Sequence, residues 1–169
     1  MQATARSRRP GSRRTRGVVA CAALLLLATG CSSGPPDIPT PDLSSTDDAA
    51  CRALVSALPD TLAGEKSVEV DGDAAYGAAW GDPAIVLTCG VGATDLDDVP
   101  KCVVADGVGW LVPTDEVDGD RDATFTADGY RPRVRLEVPR DYLPEQGASA
   151  LAELAPLVKA HTTKKVPCV

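Results

Sequence analysis

The chain has 169 residues, a formal net charge of −7, 44% hydrophobic residues and 24% charged residues. This length suits one domain with short appendages. The hydrophobic fraction excludes a wholly disordered chain, and no apolar run is long enough for a multi-span membrane protein. Only 4% of the residues are aromatic and His161 is the single histidine, which leaves little material for a histidine-ligated metal site or a histidine-based catalytic relay.

The N-terminal residues 1–30 have the features of a secretory signal peptide. They contain six arginines and no acidic residue, and an apolar run from Val18 to Ala28 follows the last arginine. As a helix, this run and the next two residues would span roughly 20 Å, against about 30 Å for the bilayer hydrocarbon. We therefore predict that residues 1–30 are a cleaved signal. Arg13-Arg14 leaves the twin-arginine export route open beside the general one, which is preferred because polar residues follow the pair.

The residues around the predicted cleavage site, Leu27-Ala28-Thr29-Gly30-Cys31, resemble a bacterial lipobox. In that pattern the cysteine thiol receives diacylglycerol, the signal is cut just before it, and the mature protein carries acyl chains such as palmitate. Gly30 fits the pattern, whereas Ala28 stands where leucine is usual. We predict a lipid anchor at Cys31 on the extracytoplasmic face of the cell membrane; the alternative is plain secretion with Cys31 unmodified.

Removal of residues 1–30 makes the mature chain strongly acidic. It keeps 11 of the 17 basic residues and all 24 acidic ones, so its net charge is −13. This charge repels phosphate backbones and anionic lipid head groups, so we expect no nucleic-acid partner and membrane attachment through the lipid alone. Residues 31–44, rich in proline and serine, predict a semi-extended tether at most roughly 40 Å long. A single globular domain is predicted over residues 45–169.

Four cysteines, Cys51, Cys89, Cys102 and Cys168, lie beyond the predicted anchor. An even number in an exported chain indicates two disulfides, for which three pairings are possible. The preferred pairing joins Cys89 to Cys102 across a turn-rich loop and Cys51 to Cys168 between the two ends of the domain; reduced thiols are the alternative. No spacing forms a Cys-x-x-Cys pair, which argues against redox catalysis and zinc ribbons.

The apolar spacing predicts two helices with strands between them. The first helix begins at Ser45 and ends at Pro59, and the second contains Leu151 to Val158, with a kink or restart at Pro156. Strand patterns fall at residues 67–70, 84–89, 102–105, 107–112, 122–127 and 133–138. This order predicts an α+β fold, in which an antiparallel sheet of about five strands is covered on one face by an N-terminal and a C-terminal helix and is held by two disulfides.

Several segments together resemble a known family. They are Cys51–Leu54 leading to Leu58-Pro59, Trp80–Leu87 leading to Cys89-Gly90, Gly107–Val112, Tyr130–Pro132 and the final Cys168. These segments are similar to the actinobacterial lipoproteins grouped as domain of unknown function 3515, over about residues 50–168. The resemblance implies an envelope location and structural cysteines, and it supplies no activity and no catalytic residue.

Direct searches for catalytic or metal-binding motifs give weak candidates. His161 lies in a tail rich in threonine and lysine and is interpreted as a solvated helix end. Asp118, Asp120 and Asp122 alternate as in a calcium loop, but the sixth and twelfth positions hold alanine and glycine. The run from Asp71 fails the same test, so both are interpreted as acidic turns. We predict no metal, no cofactor and no assigned catalytic residue.

Five residues are candidates for a binding cleft: Trp80, Asp82, Trp110, Tyr130 and Arg131. An aromatic wall with a few polar groups suits a small polar ligand or a glycan. The structural alternative is that both tryptophans fill a core short of aromatic residues, and that Asp82-Pro83 turns the chain into a buried strand.

The preferred function is a non-enzymatic binding or interaction module of the cell envelope, with an envelope protein or a glycan as partner. One alternative is an enzyme acting on cell-wall or polysaccharide substrates with carboxylates such as Asp82 for acid–base work. Another is an assembly factor for a membrane complex. The sequence leaves the enzymatic question open.

Overall fold

An eight-stranded antiparallel sheet forms the centre of the structure, which is a computed structural model. The structure describes residues 34–94, 100–116, 120–166 and 168. The predicted signal peptide, the predicted anchor Cys31 and Asp118 of the acidic run lie outside the described residues. Within the described residues no helix is both long and apolar enough to cross a membrane.

The described part of the chain contains two α-helices, twelve strands and two short 3-10 helices at Thr114–Glu116 and Arg140–Tyr142. The helices are α1 (Ser45–Ser56) and α2 (Glu145–His161). The strands are β1 (Asp37–Ile38), β2 (Thr61–Leu62), β3 (Glu65–Val68), β4 (Asp71–Gly72), β5 (Gly77–Trp80), β6 (Ile85–Cys89), β7 (Lys101–Ala105), β8 (Val108–Val112), β9 (Ala123–Thr126), β10 (Tyr130–Arg131), β11 (Val134–Val138) and β12 (Thr163–Lys164).

The main sheet has the strand order β2-β3-β5-β6-β11-β9-β8-β7, and each neighbouring pair is antiparallel. Two small sheets, β1 with β4 and β10 with β12, lie beside it. The predicted α+β class is confirmed, with eight strands in the main sheet against the expected five or so. One of the extra strands is β5, whose Gly-Ala-Ala-Trp sequence lacks β-branched residues and is held by pairing with β6.

Strand alternation gives the sheet one apolar face. Leu87 of β6 stands opposite Leu136 of β11, which stands opposite Phe125 of β9, so these side chains share a face. Helix α2 packs against strands β7, β8 and β11 and also contacts α1. This helix-covered face is the hydrophobic core, where each fully buried Leu or Val side chain contributes about 1.5–3 kcal/mol.

A side-chain cap begins helix α1, and core packing holds helix α2 in place. The Ser44 hydroxyl oxygen accepts a hydrogen bond from the Asp47 backbone N–H at 3.2 Å, and two aspartates in the first turn of α1 favour the helix dipole. Helix α2 runs from Glu145 to His161 through Pro156 as one helix, so of the predicted kink or restart at the proline, the restart does not occur. Burial of Leu154 and Val158 on either side of the proline holds both halves of α2 against the core.

The disulfide pairing predicted from the sequence is wrong. The structure joins Cys51 to Cys89 and Cys102 to Cys168, with Cα–Cα distances of 5.6 and 5.8 Å. Cys89 ends β6, whereas Cys102 lies on the edge strand β7 with three strands between them. At about 4.8 Å per strand spacing, the two cysteines stand roughly 19 Å apart, too far for a disulfide. Strands β6 and β7 are therefore not hairpin partners.

The packed domain begins closer to the N-terminus than the proline-rich composition of residues 31–44 predicted. Strand β1 pairs with β4, and Ile38 is only 1% exposed. Gly77 of β5 makes room for it, because a Cβ atom there would lie 2.9 Å from the Ile38 side chain. Further along, Leu43 lies against Gly90 at the end of β6. The packed domain thus begins near Pro36, and residues 36–44 do not form a free tether.

Candidate functional site

The two tryptophans of the predicted cleft lie in the core and far from each other. Trp80 and Trp110 are both fully buried on the helix-covered face. Strands β6, β11 and β9 separate them, which places them roughly 19 Å apart. The Trp80 indole N–H donates to the Pro59 carbonyl oxygen at 2.9 Å, whereas the Trp110 indole N–H has no hydrogen-bond partner in the described part of the chain.

Tyr130 and Arg131 hold a turn between β9 and β11. Tyr130 is 3% exposed and stands opposite Lys164 in the small β10–β12 sheet. The Arg131 guanidinium donates to the carbonyl oxygens of Asp128 and Tyr130, both at 2.6 Å. The five predicted residues therefore do not form one cleft. Of these five residues, Asp82 lines a surface groove.

This strand-end groove has a volume of about 1090 Å³ and lies where strands β3, β5, β6, β9 and β11 begin or end. The N-terminal segment that leads into the packed domain forms part of its wall. The lining residues are 34–36, 67–69, 81–84, 86, 121, 122 and 139–141.

Carboxylates outnumber cationic groups in the strand-end groove. Arg121 forms an ion pair with Asp115 at 2.8 Å, and Arg140 lies 3.8 Å from the Asp141 carboxylate. The side chains of Glu69 and Asp82 make no hydrogen bond or ion pair with any residue that the structure describes. The groove thus offers uncompensated negative charge.

The turn that carries Asp82 rests on a buried tyrosine. Gly81 has φ +82°, and a Cβ atom there would lie 2.5 Å from the Tyr142 hydroxyl, so only glycine fits. Burial, and secondarily the negative charge of Glu65, raise the pKa of Tyr142. The phenol therefore stays neutral beneath the turn and supports the outward position of Asp82.

A second polar cluster joins α1 to the chain before β5. The Tyr76 hydroxyl donates to the Asp48 carboxylate, and Arg52 donates to the Tyr76 hydroxyl at 2.7 Å and to Asp48 at 3.2 Å. The hydrogen bond from Tyr76, followed by that from Arg52, lowers the pKa of Asp48, and the same bond raises the pKa of Tyr76. Because the Cys89 backbone N–H donates to the Tyr76 carbonyl oxygen, this cluster supports the Cys51–Cys89 disulfide.

Sequence reasoning missed most of the groove. Glu69, Arg121 and the adjacent pair Arg140-Asp141 come from three separate segments, and no spacing in the sequence links these segments. At the predicted strand 133–138, which contains β11, Arg133 forms an ion pair with Asp128 at 2.5 Å. No group of three or more histidine, cysteine or acidic side chains suited to hold a metal ion occurs among the described residues.

A family comparison covers both helices and all twelve strands. A family model described as a protein of unknown function, DUF3515, matches residues 15–167. The chain belongs to the DUF3515 family. The matched region of this DUF3515 protein also includes Cys31 and the apolar run before it. No curated protein and no solved structure matches the chain.

Proposed function

We propose that this DUF3515 protein is a lipoprotein of the actinobacterial envelope. In this proposal it is anchored through Cys31 to the extracytoplasmic face of the cell membrane. There it acts as a non-enzymatic binding or interaction module, and the strand-end groove is its binding surface. The observation that carries the proposal is a groove of about 1090 Å³ that begins at the N-terminal entry of the domain and carries carboxylates without partners.

Two features support export and anchoring. The lipobox-like residues 27–31 follow a basic and then an apolar segment, which is the order of a lipoprotein signal. All four described cysteines form disulfides, which are typical of proteins outside the reducing cytoplasm.

The carboxylates of the groove also allow the enzyme alternative to be tested. Asp82, Asp122 and Asp141 all line it, and paired carboxylates serve acid–base chemistry on polysaccharides. The binding role is preferred because Asp82 stands on an exposed turn, where its carboxylate is open to a partner from solvent. An assembly factor for a membrane complex is one form that the interaction role takes.

The anchor is tested by Cys31→Ala in the native host. We expect the variant to leave the membrane fraction or to accumulate as an uncleaved precursor, because no thiol remains to receive the lipid. Cys21→Ala is the matched control, since Cys21 lies in the predicted signal peptide and its loss leaves fractionation unchanged. Cleaved, membrane-bound Cys31→Ala protein, identified by its mass, would contradict lipidation at Cys31.

A further inference from the structure

Because the packed domain begins near Pro36, only a very short linker joins it to the predicted lipid anchor. With Cys31 as the anchor, which rests on the proposed function, only residues 32–35 lie between the lipid and Pro36. Four residues reach at most roughly 14 Å when fully extended. A domain of about 130 residues has a radius of gyration of about 14 Å, and a uniform sphere of that size has a radius of roughly 18 Å, which exceeds the reach of the linker. The anchored domain therefore cannot turn its far side to the bilayer.

The strand-end groove lies on the side of the domain where the linker enters, which is the side nearest the membrane. Residues 34–36 line it, and the Pro36 carbonyl oxygen accepts a hydrogen bond from the Asp71 backbone N–H at 2.9 Å, two residues after Glu69. Val104 on the edge strand β7 is 66% exposed and lies six strand spacings from β3. That separation is roughly 29 Å across the sheet. Glu69 and Val104 thus mark the near and far sides of the anchored domain.

The charge of the groove selects among occupants at the bilayer surface. Glu69 and Asp82 have no charge partner, while both groove arginines lie beside aspartates. Anionic lipid head groups are repelled from such a surface, and a mature charge of −13 adds to the repulsion. A basic segment is complementary to it.

We infer that the strand-end groove docks a basic extracytoplasmic segment of an integral membrane protein, presented at the bilayer surface beside the lipid anchor. The short linker places the groove at the bilayer surface. The unpaired carboxylates of Glu69 and Asp82 give it the negative charge that a basic segment complements.

The position is tested with the lipidated protein in phosphatidylcholine vesicles that carry an acceptor dye on their head groups. A donor dye on Glu69→Cys should transfer energy much more strongly than the same dye on Val104→Cys. A twelve-residue Gly/Ser insertion before Gly34 should reduce the difference, because the resulting sixteen-residue linker reaches roughly 55 Å when fully extended, which is more than the width of the domain. Equal transfer from the two positions without the insertion overturns the inference. Failure of the protein to bind vesicles at all overturns lipidation instead.

The partner is tested by photocrosslinking in native membranes from positions 69, 82 and 104. Positions 69 and 82 should crosslink to a basic extracytoplasmic peptide of an integral membrane protein, identified by mass spectrometry, and position 104 should not. With the crosslinker at Ser67, the double variant Glu69→Lys/Asp82→Lys should lower the yield at least about tenfold through like-charge repulsion, and Glu69→Gln/Asp82→Asn should lower it less. Adducts with lipid alone, with acidic segments, or equally from position 104 overturn the inference.

Discussion

Trp80 and Asp82 stand two residues apart and belong to two different regions of the molecule. Trp80 is fully buried on the helix-covered face, with its indole N–H bonded to Pro59. Asp82 is exposed in the strand-end groove. Gly81, with its positive φ, reverses the chain between them. One short motif therefore serves the core through its tryptophan and the surface through its aspartate, and only the second residue is free to bind a partner.

The largest effect is expected where the core is opened. Trp80→Ala should lower the free energy of unfolding by about 3–5 kcal/mol, because it leaves a cavity beneath the helices. Urea unfolding followed by circular dichroism measures this loss. Val104→Ala is the control and should change stability by no more than about 0.5 kcal/mol, since Val104 is exposed. A loss below about 1 kcal/mol for Trp80→Ala would show that Trp80 is not a core residue.

An intermediate effect, dependent on pH, is expected at the cluster that fixes α1. Tyr76→Phe removes the hydrogen bond that chiefly lowers the pKa of Asp48, so that pKa should rise toward its ordinary value of 3.8. A carboxyl whose pKa is lowered by folding stabilises the folded state above its unfolded pKa, and this contribution is lost as pH falls through the folded pKa. The stability difference between wild type and variant should therefore be greatest near neutral pH and shrink below pH 3.8.

Carbon-13 NMR titration of the Asp48 carboxyl measures the shift directly. Tyr142→Phe is the matched control, because Tyr142 has no contact with Asp48 and its loss should leave that titration unchanged. An Asp48 pKa that is the same in wild type and Tyr76→Phe would show that the Tyr76 hydroxyl does not stabilise the carboxylate.

The smallest effect on stability is expected at the groove. Asp82→Asn should lower the free energy of unfolding by about 1 kcal/mol or less, because asparagine forms the same local turn. A binding module should keep its folded structure and lose only part of its partner affinity. A folded Asp82→Asn protein that has lost all function in the host would instead favour the enzyme alternative, because an amide cannot transfer the proton.

Local patterns predicted the fold where the determinants are local. The alternation in β11, the apolar run of β6 and the beginning of α1 at Ser45 are visible in the sequence. Strand β5 was missed because its small residues carry no strand preference and depend on β6 for pairing. The disulfides were mispaired because their partners are set by the strand order, which places β11, β9 and β8 between Cys89 and Cys102.

The groove was largely invisible in the sequence for a related reason. Its walls come from several segments that only the sheet brings together, so Asp82 alone was predicted. The proline-rich stretch before α1 was interpreted as a tether from its composition. Ile38 reverses that interpretation, since one buried side chain fitted over Gly77 is enough to dock the segment.

The disulfide connectivity also limits how the cysteines of the folded domain can be mispaired. Both bonds join described cysteines that are consecutive along the chain, Cys51 with Cys89 and then Cys102 with Cys168. Neither loop contains a cysteine of the other bond, so the two loops are neither nested nor interlaced. Each bond can therefore form or break without trapping the other, and oxidation that joins neighbouring thiols in chain order produces the native pairing.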